Sequence, residues 1–253
     1  MNKKILIAVL LVSVSFFSAR AQKFDINKVR ISIKGGLNVS SFTDDVSVFD
    51  PASPGYKNSF YSYFEKYSRI TGTIGIAADY PINNRFTLSA GLEYNGRGSA
   101  YRVQNGGVVV YSNGSTESDY NYYRFQLDYV ELPLLAQYNV ADPHGSSSVI
   151  LYGGISPAVN VKAGTSYTYA TSGSTPVTGG TASNNGSLPD VSSFMLSPVA
   201  GIMLGGNRNK PYQFFGDIRF EYSLLPVFNK SSDNGENLQT SMITGGLSLG
   251  VRF

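Results

Sequence analysis

The chain has 253 residues, with 20 Lys and Arg, 17 Asp and Glu, a single histidine and no cysteine. The lack of cysteine excludes disulfides, thiol nucleophiles, a lipid-modified cysteine and Cys/His zinc sites, and the near-balanced charge argues against an electrostatic nucleic-acid binder. The 18 Tyr, 15 Phe and 27 Gly, set against only 15% charged residues, suit strands, tight turns and bilayer interfaces.

At the N-terminus Lys3 and Lys4 precede an apolar stretch over residues 5–17 and the small-x-small triplet Ala19-Arg20-Ala21. That is the layout of a cleaved signal peptide, residues 1–21, and the stretch is too short to span a bilayer as a helix. Its removal takes Lys3, Lys4 and Arg20 and leaves 17 basic and 17 acidic residues in a single domain, residues 22–253. No other apolar run approaches helix-spanning length, so a membrane span has to be built from strands.

Eight segments alternate with a period of two. Residues 30–40 set Ile31, Ile33, Leu37 and Val39 against Arg30, Ser32, Lys34 and Asn38. Residues 69–80 set Ile70, Ile74, Ile76 and Tyr80 against Arg69, Thr71, Thr73 and Asp79. Residues 85–97 set Phe86, Leu88, Ala90, Leu92 and Tyr94 against Thr87, Ser89, Glu93 and Asn95. The fourth, residues 123–140, carries Val130, Leu132, Leu134, Ala136 and Tyr138 on one face. Its pattern changes phase near Glu131, as a bulge or a bend at Pro133 would cause.

The fifth, residues 149–162, opposes Val149, Leu151, Ile155, Val159 and Val161 to Tyr152, Ser156, Asn160 and Lys162. The sixth, 194–204, is ambiguous, because Met195, Val199 and Met203 make both faces apolar. The seventh, 212–223, alternates Tyr212, Phe214, Ile218, Phe220 and Tyr222 with Gln213, Asp217, Arg219 and Glu221. The eighth, 243–253, ends on Phe253.

Connections alternate short (81–84, 141–147, 205–211) and long (41–68, 98–122, 163–193, 224–242). Short periplasmic turns and long extracellular loops are the outer-membrane barrel arrangement. An even strand count then puts both termini on the periplasmic side. Tyr80, Phe86, Tyr138, Tyr212, Phe214 and Phe253 fall at the short-turn end; Tyr94, Phe220 and Tyr222 fall at the other. Two aromatic bands are the mark of a barrel between two bilayer interfaces, and a soluble β-sandwich has no reason to sort them so. The fold expected is all-β: an antiparallel up-and-down transmembrane β-barrel of about eight strands. Asn105-Gly106 and Asn113-Gly114 bracket Val108-Val109-Val110-Tyr111 and suggest a small extra hairpin, with which ten strands are possible. The Ser, Thr, Gly and Asn of residues 164–187 are expected to form a mobile loop.

Several short stretches resemble the PorT-like outer-membrane β-barrel family, a porin-like group. They are Ile33-Lys34-Gly35-Gly36-Leu37-Asn38, Leu92-Glu93-Tyr94, Tyr129-Val130-Glu131-Leu132-Pro133-Leu134-Leu135 and the terminal Gly250-Val251-Arg252-Phe253. The resemblance implies a barrel in the bacterial outer membrane and, through one branch, a component of a secretion and gliding apparatus. A terminal Phe253 also resembles the signal read by the barrel-assembly machinery during insertion.

An eight-stranded barrel is just wide enough for its own side chains to fill. The inward faces are expected to carry Arg30, Lys34, Arg69, Asp79, Arg85, Glu93, Arg97, Glu131, Lys162, Asp217, Arg219, Glu221 and Arg252. Glu93, Glu131, Asp217, Arg219 and Glu221 are expected at similar heights, as a polar network. His144 sits in a turn beside Pro143, so histidine-dependent catalysis at the long loops has no candidate. Asp44, Asp45, Asp50 and Glu65 lack Ca²⁺-loop spacing, and the glycine pairs lack a phosphate-loop context. The reading is a non-enzymatic barrel without catalytic, metal or cofactor site, presenting long loops to an envelope protein or a glycan and sitting in outer-membrane lipid. The alternatives are a narrow passive channel and an outer-membrane component of a secretion apparatus.

Overall fold

The alternating segments form ten strands: β1 (Arg30–Phe42), β2 (Glu65–Pro81), β3 (Phe86–Val110), β4 (Thr116–Glu131), β5 (Leu134–Asn139), β6 (Ser147–Ala170), β7 (Thr181–Ser187), β8 (Phe194–Gly206), β9 (Gln213–Tyr222) and β10 (Met242–Arg252). The structure, a computed structural model, describes residues 25–43, 65–110, 116–142, 146–170, 181–188, 191–206, 210–228 and 240–253. The signal peptide, His144, Asp44, Asp45, Asp50 and Asn113-Gly114 lie outside those residues.

All pairings are antiparallel, and they close on themselves. β1 pairs with β2 and β10, β10 with β9, β9 with β8 and β8 with β6. β6 then pairs with β4 and β5, both of these with β3, and β3 with β2. The ten strands make eight staves. β4 and β5 are one stave broken at Leu132-Pro133, because proline has no N–H to give the ladder. There the Leu132 amide turns to the Pro157 carbonyl at 2.9 Å. β7, which pairs with β6 above β8, lengthens the β8 stave in the same way. The barrel is therefore eight-stranded, and the additional segments extend staves instead of adding any.

Side chains alternate between a polar lumen and an apolar exterior. Ile33, Leu37, Ile74, Leu92, Ile155, Ile218 and Leu247 are all exposed on the outside. Phe86 and Tyr138 meet edge-on at 6.2 Å, and Tyr212 and Phe253 at 5.8 Å, both at the short-turn rim. The Phe253 amide donates to the Ile31 carbonyl at 2.8 Å, so both ends of the barrel domain lie at that rim.

Four expectations are corrected. The fourth stave does not change phase: Phe125, Leu127, Tyr129, Glu131, Pro133, Gln137 and Asn139 are all buried on the inward side. What switches near Glu131 is the chemistry of the lumen, polar below and apolar above. Val108 to Val110 form no separate hairpin; they continue β3 and pair with Thr116 to Ser118 of β4, past an irregularity between Gln104 and Val108. Residues 164–170 and 181–187 are paired strands, because Thr- and Ser-rich segments propagate a ladder already begun below them. Finally, Arg85 and Lys162 are exposed instead of inward: Arg85 sits at the rim, and a register shift between Asp128 and Tyr129 turns Lys162 outward.

Gly98 permits another irregularity. Its φ of 140° is open to glycine, and a Cβ there would fall 1.9 Å from the Phe125 carbonyl oxygen. The Ser40 hydroxyl fixes the kink, bonding both the Gly98 carbonyl and its amide at 2.9 Å.

Ile218 is directly opposite Leu247 and Ile202 on the outside of the barrel. We predict that Ile218→Arg costs about 2–4 kcal/mol, the range for a cation at mid-bilayer. Urea unfolding in lipid checks this, and an unchanged midpoint would contradict the inside–outside assignment.

Candidate functional site

The lumen is filled in three tiers. At the short-turn end Arg252 is the hub. Its Nε donates to Asp79 Oδ2 at 2.7 Å, and Nη1 and Nη2 donate to the Gln213 and Gln137 side-chain oxygens at 3.2 and 3.3 Å. Gln137 in turn donates to Asp79 Oδ1 at 3.1 Å. The Arg252 guanidinium lies 5.7 Å over the Phe215 ring, which packs with Ile150, Tyr152, Val199 and Met203. Small inward residues make this possible: a Cβ on Gly250 would sit 2.4 Å from the Phe215 ring, and one on Gly201 2.4 Å from the Tyr152 ring.

The middle tier gathers the five residues expected there, together with four partners: Arg97, Lys34, Tyr152 and Ser156. Arg219 Nη1 donates to Glu93 at 2.6 Å, and Arg219 Nε is 2.5 Å from Glu221. Arg97, 1% exposed, bridges Glu221 to Glu131, the latter at 2.5 Å. Lys34 reaches both Glu93 (3.0 Å) and Asp217 (3.2 Å). Tyr152 donates to Asp217 at 2.6 Å, and Ser156 to Glu131 at 3.1 Å. The geometry is that of a linked charge network, each carboxylate having at least one cation. All four carboxylates are buried.

The third tier, at the long-loop end, is apolar. Phe42, Tyr101, Phe125, Leu127, Tyr129, Met195 and Met242 point inward from the wall, and Leu188, Val227 and Phe228 cover them. The covering segments are tied down by backbone bonds. Ser192 N donates to the Val227 carbonyl, Val227 N to that of Thr240 and Leu224 N to that of Leu196, at 2.8–2.9 Å. Phe228 stacks edge-on against Phe42 at 5.7 Å. Sequence reasoning missed this tier because it treated residues 188–193 and 224–242 as loop. The signal was present in Leu224-Leu225-Pro226-Val227-Phe228, an apolar run with no place in a solvated loop, and in the double-sided β8.

Above the lumen the rim is uneven. β3 and β4 stay paired up to Val110 and Thr116, and β6 and β7 up to Ala170 and Thr181, whereas β1 and β10 end at Phe42 and Met242. From Tyr101 to Val110 the wall gains about 30 Å along the strand. Toward its base it carries Tyr67 against Tyr122 at 6.3 Å, Arg124 over Tyr122 at 5.5 Å, and an exposed Arg102–Glu65 pair at 2.7 Å.

A family model described as outer membrane protein beta-barrel domain matches residues 20–229. No curated protein matches the chain in sequence. Among solved structures, Ail, the attachment invasion locus protein of Yersinia pestis, is 14% identical, with 89% of this chain and 99% of that chain covered and a TM-score of 0.38. OprG of Pseudomonas aeruginosa is 12% identical over 88% and 95%, with a TM-score of 0.42. The outer membrane protease OmpT of Escherichia coli is 9% identical over 92% and 99%, with a TM-score of 0.43.

The two central arginines differ in consequence. Without Arg219, Glu93 keeps Lys34 and Glu221 keeps Arg97. Without Arg97, Glu131 retains only the Ser156 hydroxyl among the contacts described. We predict that Arg97→Ala costs about 3–5 kcal/mol, and that Arg219→Ala costs less. Adding Glu131→Gln to Arg97→Ala should recover part of the loss. Urea midpoints of the three variants against wild type check this; equal losses for the two arginines would refute the pairing.

Proposed function

Given that the chain belongs to the outer membrane protein beta-barrel domain family, we propose that it is a non-enzymatic outer-membrane barrel, closed to ions, that presents its tall wall to a partner outside the cell. The observation that carries this reading is the stacking of three tiers across one lumen. A conducting path would have to pass the Arg252–Asp79 cluster, then the Arg97–Glu131–Glu221 bridge, then the apolar seal around Phe228. Apolar constrictions exclude water, and paired buried charges leave no hydrated route.

The partner class follows from the surface. Tyrosines with adaptable polar and arginine neighbours are the composition of contact surfaces for proteins and glycans, and Tyr67, Tyr122, Arg124 and Arg102 supply it at the wall's base. In the proposed orientation the short-turn rim and both ends of the mature chain face the periplasm after the signal peptide, residues 1–21, is removed. Barrel-assembly machinery inserts the chain, and within the family it falls in the PorT-like branch.

Planar-bilayer recording tests closure. We predict silence from the purified chain; steady single-channel steps would overturn the closed reading and make the protein a narrow channel. Orientation has its own test. Protease added to intact cells should cut between residues 44 and 64 or between 171 and 180, and cleavage confined to residues 143–145 or 207–209 would reverse it.

A further inference from the structure

The outside of the barrel is not uniformly bulky. On the side formed by β2, β3, β5 and β6, an apolar groove of about 560 Å³ opens between Tyr80, Leu88, Leu134 and Ile155, with Ala78, Ala90 and Ala136 as its floor. Val29, just after the 3-10 turn, also lines it. A second hollow of about 540 Å³ lies immediately toward the short-turn rim, lined by Asn83, Asn84, Arg85, Phe86 and Tyr138. The two are neighbours by register. Phe86 pairs with Tyr138, and the next outward pair along the same two strands is Leu88 with Ala136, a lining pair of the groove.

The rim hollow has the chemistry of an anion site. Arg85 is exposed, its guanidinium donates to the Tyr138 hydroxyl at 3.3 Å, and it meets no carboxylate at ion-pair distance among the described residues. The Tyr138 hydroxyl, as acceptor there, keeps its own proton to donate. Asn83 accepts the Arg85 and Phe86 amides through Oδ1, at 2.9 and 2.8 Å, which leaves its NH₂ as a donor. Guanidinium, amide and hydroxyl donors thus meet beside an edge-on aromatic pair, with no acid among the lining residues.

We propose that this face binds one glycerophospholipid, with an acyl chain in the Ala78–Ala90–Ala136 groove and the phosphate against Arg85, Asn83 and Tyr138. The spacing suits that occupant. The aromatic pair sits where aromatic girdles meet the headgroups, with the donors on its polar side and the groove on its hydrocarbon side. A phosphate diester fits a guanidinium fork, and the charge-assisted bonds strengthen in the low dielectric of the interface.

Native mass spectrometry of the detergent-purified protein, titrated with phosphatidylglycerol, tests this. Wild type should retain one lipid per chain. Arg85→Gln should weaken retention about tenfold through loss of the charged donor. Ala136→Phe, which fills the groove from a lipid-facing position, should abolish the tight adduct, and Ala90→Leu is a second filling variant should the first fail to fold. Inorganic phosphate at matched concentration should not displace the lipid. Equal retention by wild type and both kinds of variant would overturn the proposal. So would displacement by phosphate alone, which would make the rim a free-anion site.

Discussion

Everything in this molecule depends on the antiparallel pairing of β1 with β10, from Ser32 against Arg252 to Phe42 against Met242. A sheet with an open edge would leave a row of N–H and C=O groups in hydrocarbon, where nothing can satisfy them. Closing the edge between the first and last strands removes that cost for every stave at once. It also dictates the rest. Closure at eight staves makes a lumen of side-chain width, so each inward residue must fit against the inward residues paired with it on the neighbouring strands. The glycines opposite Phe215 and Tyr152, and Gly75 beneath Glu93, are that requirement written into the sequence.

A lumen this narrow cannot keep its charges hydrated, so it must neutralise them. The middle tier holds Lys34, Arg97 and Arg219 against Glu93, Glu131, Asp217 and Glu221. Cations are one short of the acids, and hydroxyls make up part of the difference. Tyr152 donates to Asp217 and Ser156 to Glu131, the two carboxylates that each have a single cation. The arrangement distributes partners, so that Glu93 and Glu221 each have two cations while Glu131 leans on one. Such a network holds five staves, those of β1, β3, β4, β6 and β9, to one another through their side chains, in addition to the ladders between neighbours.

Much of this was legible in the sequence, because a transmembrane barrel alternates strictly wherever lipid is on one side and polar lumen on the other. Alternation marks all eight staves, and the inward phase of Glu93, Glu131, Asp217, Arg219 and Glu221, together with the up-and-down strand order, puts them at similar heights. The rule fails where either side changes character. Above Glu131 the lumen becomes apolar at Tyr129, Leu127 and Phe125 while the outer face gains Asp128, Gln126 and Arg124, so an unbroken strand mimics a change of phase. Beyond the membrane neither face has a constant neighbour, and residues 164–187 read as loop although backbone pairing holds 164–170 and 181–187 in strand. Lys162 was misplaced for a third reason: a bulge shifts parity without leaving a mark in composition.

The apolar seal and the tall wall have a common origin in that same upper region. Once β3, β4, β6 and β7 continue past the membrane, their inward faces at the mouth no longer oppose β1, β9 and β10 at equal height, since those strands stop at Phe42, Tyr222 and Met242. The aromatic faces of Tyr101 and Phe125 would then stand uncovered in water. Leu188, Val227 and Phe228 remove that surface, arriving on the two segments that follow the tall β7 and the short β9. A wall of unequal height therefore calls for a cover, and the cover closes the mouth. The need for a cover is greatest on β4, where Phe125, Leu127 and Tyr129 run consecutively along the inner side. The height of β3, β4, β6 and β7 above the membrane thus brings with it, by the logic of burial, an apolar cover at the mouth.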